Sequence, residues 1–184
     1  VKNLLKYVVA NKKVKFLFSN SSQIFLKATK KVNENSKMYT KDFYTKFRIR
    51  SLKYILRMKK KHRLNCTNLI LFNHDSKFRS KRFILPRVML AIKNKNYKFL
   101  RYIYKENIMM DFSHAEDICY GIYLLIKKNK NPNNLILSSN KISSLNTLIE
   151  KYINKKRNLG NLKTKNNNIG VIGNNSKAKN LLSW

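Results

Sequence analysis

Asn65-Cys66-Thr67-Asn68-Leu69-Ile70-Leu71-Phe72-Asn73-His74-Asp75-Ser76 decides how the chain folds. Residues 67–73 form a short, unbroken apolar run rather than an alternating one, which predicts a strand buried on both faces. Two more runs of the same kind flank it, at residues 14–19 and 134–138. Between them lie stretches with helical spacing. Residues 39–61 contain no Gly or Pro and carry Phe43, Phe47, Leu52, Ile55 and Leu56 at intervals that fit one long helix. Residues 1–10, 82–93 (despite Pro86) and 144–156 also read as helical. Ser113-His114-Ala115-Glu116 has the form of a capping box, which starts a helix through residues 118–126. Residues 98–104 alternate and predict an edge strand. Strands alternating with helices define an α/β layer around a mainly parallel sheet.

The strand at residues 14–19 is almost wholly apolar, as expected of a strand with neighbours on both sides. Only the helical residues 1–10 precede it. Its near side is therefore expected to be completed by another molecule, because an open apolar edge invites aggregation. After Arg157 the chain turns Asn- and Gly-rich. This divides it into a domain at 1–157, a loop at 158–175 and a C-terminal segment at 176–184.

Composition bears on function. Forty-one Lys and Arg oppose eight Asp and Glu, a net charge of +33 in 184 residues. Such one-signed charge strains a compact state unless a polyanion neutralises it, and nucleic acid is the commonest such partner. The cations run along the whole length. They include Lys12-Lys13, Lys30-Lys31, Lys59-Lys60-Lys61 with Arg63, then Lys77, Arg79, Lys81 and Arg82, Lys127-Lys128, and Lys155-Lys156-Arg157. Apolar stretches separate them, so this is no disordered basic arm. The pattern points to a protein touching phosphate in several places, as one embedded in folded RNA does. Tyr97, Phe99, Tyr102 and Tyr104, set among lysines, could stack on bases or pack within the fold.

Other classes are excluded or left empty. Cys66 and Cys119 have no metal or redox spacing and sit beside apolar runs, which predicts two buried hydrophobes; the three histidines form no metal pattern with them. The uncharged apolar run at 118–126 is too short to cross a bilayer. The first twenty residues lack the order of a signal peptide, although Val1 in place of Met leaves the true beginning open. Lys, Asn, Ile, Tyr and Phe dominate, as in AT-rich genomes such as those of organelles or some protists.

Several stretches, in order, resemble one family. The strand and loop quoted first are similar to the Leu-Phe-Asn-His-Glu-Ser run of GDP-mannose 4,6-dehydratases, which are extended short-chain dehydrogenases of the NAD-dependent epimerase/dehydratase group. Asp111-Phe112-Ser113-His114-Ala115-Glu116-Asp117 resembles that family's Arg-Asp-Trp-Gly-His-Ala-x-Asp motif. Asn174-Asn175-Ser176-Lys177-Ala178 and Leu182-Ser183-Trp184 resemble its Asp-Pro-x-Lys-Ala…Leu-Gly-Trp ending. The resemblance covers the family's C-terminal portion. It implies an incomplete Rossmann-like parallel sheet without the N-terminal dinucleotide-binding strands.

The resemblance also locates the family's chemistry, which oxidises a sugar hydroxyl by hydride transfer to NADP and then eliminates water. Ser21 sits at the position of its catalytic threonine and Gln23 at that of its glutamate base. Tyr44 and Arg48 sit at its Tyr-x-x-x-Lys pair, and Met110 at the arginine expected to hold a nucleotide phosphate. Glutamine cannot take a proton, and a planar guanidinium is no substitute for a compact ammonium. No Gly-rich cofactor turn is present, since three of the four glycines fall in the 158–175 loop.

The expectation is therefore a non-catalytic chain with no cofactor and no metal. It would bind RNA, namely rRNA beside neighbouring ribosomal proteins in a mitochondrial ribosome, with Ser21, Tyr44 and Arg48 as vestiges. The alternatives are half of a split dehydratase completed by a second chain, and a membrane-surface or sugar-nucleotide-binding module.

Overall fold

A computed structural model describes residues 1–25, 31–166 and 168–184. In chain order, α1 (Lys2–Ala10) leads into β1 (Phe16–Ser21) and a 3₁₀ turn (Ser22–Ile24), followed by β2 (Lys31–Val32), α2 (Phe43–His62), β3 (Cys66–Leu71) and β4 (Asn73–Asp75). Next come α3 (Ile84–Lys93), α4 (Tyr97–Glu106), β5 (Ile108–His114), α5 (Ala115–Lys127), β6 (Asn134–Leu137) and β7 (Ile142–Ser144). The chain closes with α6 (Leu145–Tyr152), α7 (Lys155–Asn158), β8 (Asn168–Ile169), β9 (Ile172–Gly173) and α8 (Ser176–Leu182).

The main sheet is parallel, in the order β1-β3-β6, with Phe16 opposite Cys66 and Leu69 opposite Leu135. β3 is central, which explains its continuous apolar run. Ile70 packs with Ile49 and Leu52 of α2 on one face, while Leu69 packs with Ile118, Leu124 and Leu125 of α5 and with Ala178 and Leu182 of α8 on the other. Each such side chain contributes about 1.5–3 kcal/mol when fully buried. Among the described residues β1 has no partner on its outer side, and Phe16, Leu17 and Phe18 are only half-buried.

A second sheet joins β4, β5 and β7, with β8 also on β5; β2 and β9 form a separate parallel pair. The polar hub between these layers is Asp111. Its fully buried carboxylate accepts from Ser139 N (2.8 Å), Ser139 Oγ (2.7 Å), Asn140 N (3.2 Å) and Gly173 N (3.1 Å). Gly173 tolerates no side chain, because a Cβ there would lie 2.5 Å from Ser138 Oγ and 2.8 Å from Phe72 Cε2. The C-terminal segment closes on α5, where Trp184 Nε1 donates to the Asp117 carbonyl at 2.9 Å.

Several expectations need correction. Residues 98–104 are not an edge strand but the body of α4. Leu100, Ile103 and Tyr104 bury one helical face, and the Asn96 side chain caps the start by accepting from Phe99 N. Four aromatic side chains in the eight residues 97–104 give an alternation that masks the i, i+3, i+4 set. The cap of α5 is His114, whose ring accepts from Glu116 N, and not Ser113. The helix expected at 144–156 ends at Tyr152 and restarts as α7 behind Asn154. Residues 158–175 are no plain loop, since β8 and β9 pair with β5 and β2. Cys66 is buried, its thiol pushed up by burial, but Cys119 is exposed. Pro86 is accommodated because it lies in the first turn of α3, where backbone N–H groups have no helical acceptor.

Candidate functional site

The residues expected at the family's catalytic positions lie where β1 ends and α2 begins. Ser21 caps the 3₁₀ turn by accepting from Gln23 N at 3.3 Å, and Gln23 itself is exposed. α2 starts at a reciprocal capping box, in which the Asp42 carboxylate accepts from Thr45 N (2.8 Å) while Thr45 Oγ1 accepts from Asp42 N (3.0 Å). This places Tyr44 in the first turn, 45% exposed, and Arg48 one turn later. The Arg48 guanidinium donates to the Ser19 carbonyl at 2.7 Å and lies 5.0 Å from the Tyr44 ring centroid and 5.7 Å from that of Phe18. It ties α2 to β1.

At the positions expected to hold a nicotinamide dinucleotide the residues are Arg48 and Met110. Arg48 donates one guanidinium N–H to Ser19 and packs beside two aromatic faces. The glycines at 121, 160, 170 and 173 build no Gly-rich turn after a strand of the main sheet. Met110 lies half-buried on β5 and brings no charge to a phosphate.

The cations fall into distinct places. Lys77, Arg79 and Lys81, with Asp75, Ser76 and Lys93, border a cleft of about 950 Å³ floored by Leu85, Met89 and Phe112. Arg82 is exposed beside it. Lys60 and Arg63 border a smaller hollow of about 540 Å³ where α2 ends. Lys12 and Lys13 are exposed after α1, Lys31 on β2, and Lys127 and Lys128 at the end of α5, where Lys128 donates to Ser183 Oγ at 3.0 Å. Lys156 and Arg157 are exposed on α7, and Lys155 lies 3.8 Å from Glu150. Lys30 lies outside the described residues.

Lys59 departs from its expected role as a phosphate contact. Its ammonium donates to the carbonyls of Cys66 (2.7 Å), Asn131 (2.8 Å) and Pro132 (3.1 Å) and to Asn131 Oδ1 (2.9 Å), and desolvation pushes its pKa down. A lysine tied to the β3 end in this way holds the fold together. Of the aromatic set, Tyr104 is buried with its hydroxyl bonded to Glu150, Tyr97 and Phe99 pack in the α3–α4–α6 core, and Tyr102 is 61% exposed.

Sequence reading missed Lys93, which only the fold brings to the cleft. It also missed Arg50, Lys53 and Arg57, which border a hollow of about 720 Å³ between α1 and α2. Their i, i+3, i+7 spacing on a helix could have revealed them. Among the described residues, no cluster of three His, Cys, Asp or Glu side chains is placed to hold a metal ion, and no helix is long and apolar enough to cross a membrane.

Parallel strands under helices, with a strand-end site facing a helix N-terminus, define a Rossmann-like fold of the nucleotide-sugar epimerase and dehydratase class. Solved structures agree. The dTDP-glucose 4,6-dehydratase of Bacillus anthracis matches with a TM-score of 0.79 at 16% identity, covering 98% of this chain and 59% of its own. The UDP-glucuronic acid 4-epimerase of Bacillus cereus matches with a TM-score of 0.77, also at 16% identity and with the same coverage. The sequence profile described as GDP-mannose 4,6 dehydratase matches residues 1–184, and the chain belongs to that family. The GDP-mannose 4,6 dehydratase of Drosophila melanogaster is 20% identical over 142 residues, which is 76% of this chain and 36% of that protein. The chain thus spans roughly a third of that relative's length.

Proposed function

We propose that this chain is a non-catalytic RNA-binding protein that keeps a dehydratase scaffold, as a structural component of a ribonucleoprotein, specifically a mitochondrial ribosome. The observation that carries the proposal is charge left without partners. Against 41 Lys and Arg, the described residues form two ion pairs between a lysine and a carboxylate, Lys155–Glu150 and Lys165–Glu106. Exposed, unneutralised cations on many elements suit a phosphate scaffold that surrounds the protein. Loss of catalysis is supported by Gln23 in place of a base and by Arg48 bound to Ser19.

The test is affinity for structured RNA across a salt series. The expected result is tight binding whose logarithm falls linearly with log salt, together with co-sedimentation with a ribosome-sized particle that collapses on RNase treatment. A soluble monomer indifferent to RNA in physiological buffer would overturn the proposal.

The open outer edge of β1 favours a second reading, one part of a two-part dehydratase completed by another chain. NADP-dependent turnover of GDP-mannose after mixing with such a chain would establish it. Failure of turnover in the assembled pair removes it.

A further inference from the structure

Residues 76–83 read Ser76-Lys77-Phe78-Arg79-Ser80-Lys81-Arg82-Phe83, two copies of Ser-Lys followed by one aromatic and one arginine in either order. Each copy folds as a turn opened by its serine. Arg79 N donates to the Ser76 carbonyl at 3.0 Å and Phe83 N to the Ser80 carbonyl at 3.1 Å. The two serine hydroxyls also accept, from Phe78 N (3.3 Å) and Arg82 N (3.4 Å). The loop is thereby held in a defined shape while its side chains stay outside. Phe78 is 85% exposed, more than any other large apolar side chain among the described residues, and Phe83 is 47% exposed.

Among the described residues no packing accounts for a phenylalanine so exposed, and no carboxylate forms an ion pair with Lys77 or Arg79 beside it. Lys77 Nζ lies 5.1 Å from the Phe78 ring centroid. The Arg79 guanidinium lies 3.6 Å from that of Phe83, and its Nε is a buried donor without a partner. Such an orphaned donor is costly until an acceptor arrives. Lys93 and Lys81 extend the cations along the rim of the adjoining cleft. The one acid there, Asp75, accepts from Ser76 N at 2.8 Å.

We propose that this loop is a binding site for single-stranded RNA, with Phe78 as the platform on which an unpaired base stacks and Lys77, Arg79, Lys81 and Lys93 on the phosphates either side. This rests on the RNA-binding reading above and adds which RNA is taken and where. A flat aromatic face recognises a base only once it is unstacked, so a duplex offers Phe78 nothing. The neighbouring cations follow a backbone of either kind.

The test is fluorescence anisotropy of the full chain with a short single-stranded oligoribonucleotide, a duplex of equal phosphate count, and heparin, a polyanion without bases. Single strands should bind more tightly than the duplex. Phe78→Ala should weaken single-strand binding about tenfold, within the range for loss of one stacked base. It should leave the salt slope, the duplex and heparin unchanged. Phe78→Trp should restore single-strand affinity, and Lys81→Ala should lower the single-strand salt slope by about 0.7. Circular dichroism should show the fold intact in each variant. If the wild-type chain binds both RNAs alike, or Phe78→Ala weakens heparin as much as RNA, the site is overturned while RNA binding stands. If the wild-type chain binds neither RNA, the functional reading fails and this site with it.

Discussion

Two polar regions lie within the same fold and are built on opposite terms. Around Asp111 the carboxylate is wholly buried and four donors converge on it from two separated stretches of chain, at Ser139-Asn140 and at Gly173. Around Tyr44 and Arg48 the side chains are exposed or half-buried, and the bonds are few: one carbonyl and two aromatic faces. A buried donor deprived of its acceptor costs its full desolvation penalty, whereas an exposed group turns to water. The first region is therefore indispensable to the architecture. The second can change residue types with little loss to the fold, and it is where Gln23 and Arg48 stand at positions expected to match the family's base and lysine.

That contrast sets an order of effects. Asp111→Ala leaves the donors of Ser139, Asn140 and Gly173 unpaired and should cost about 3 kcal/mol or more. Urea denaturation would show it, and a loss under 1 kcal/mol would break the contrast. Gly173→Ala drives a methyl into Ser138 and Phe72 and should cost about 2 kcal/mol by the same measurement. Arg48→Ala removes a half-exposed charged hydrogen bond and its stacking, for about 1 kcal/mol. A loss as large as that of Asp111→Ala would mean the helix face is as structural as the hub.

Smaller again is the Asp42 cap. Its carboxyl is held below the usual range by the Thr45 backbone N–H first and by the Thr45 hydroxyl second. A carboxyl depressed on folding contributes fully above the unfolded chain's value, and that contribution is lost as pH falls through the folded one. Acid titration of stability should show the slope, and Asp42→Asn, which keeps a capping oxygen, should remove it. Tyr44→Phe should change stability by less than about 0.5 kcal/mol and leave RNA affinity unaltered. A marked loss of affinity would show that the tyrosine still meets a ligand.

The main sheet could be read from sequence because its strands are buried on both faces, and such runs are continuous in composition. β1, β3 and β6 each fall within two residues of the apolar runs that predict them. The second sheet could not. β4, β7 and β8 are two or three residues long and mostly polar, and they exist because β5 draws them together. α4 was misread because its aromatic side chains alternate along the chain while its buried set follows the helix. Lys59 looked like its neighbours Lys60 and Lys61, since nothing in a lysine run marks the one that faces inward.

Charge, the order of strands and helices, and the family's motifs are properties of the chain as written, because they depend on residue type and on neighbours close in sequence. Which lysine is bound by carbonyls, which aromatic ring stands free at Phe78, and how Asp111 gathers its donors depend on residues far apart in the chain. Those contacts form only when the layers pack, so tertiary structure alone settles them.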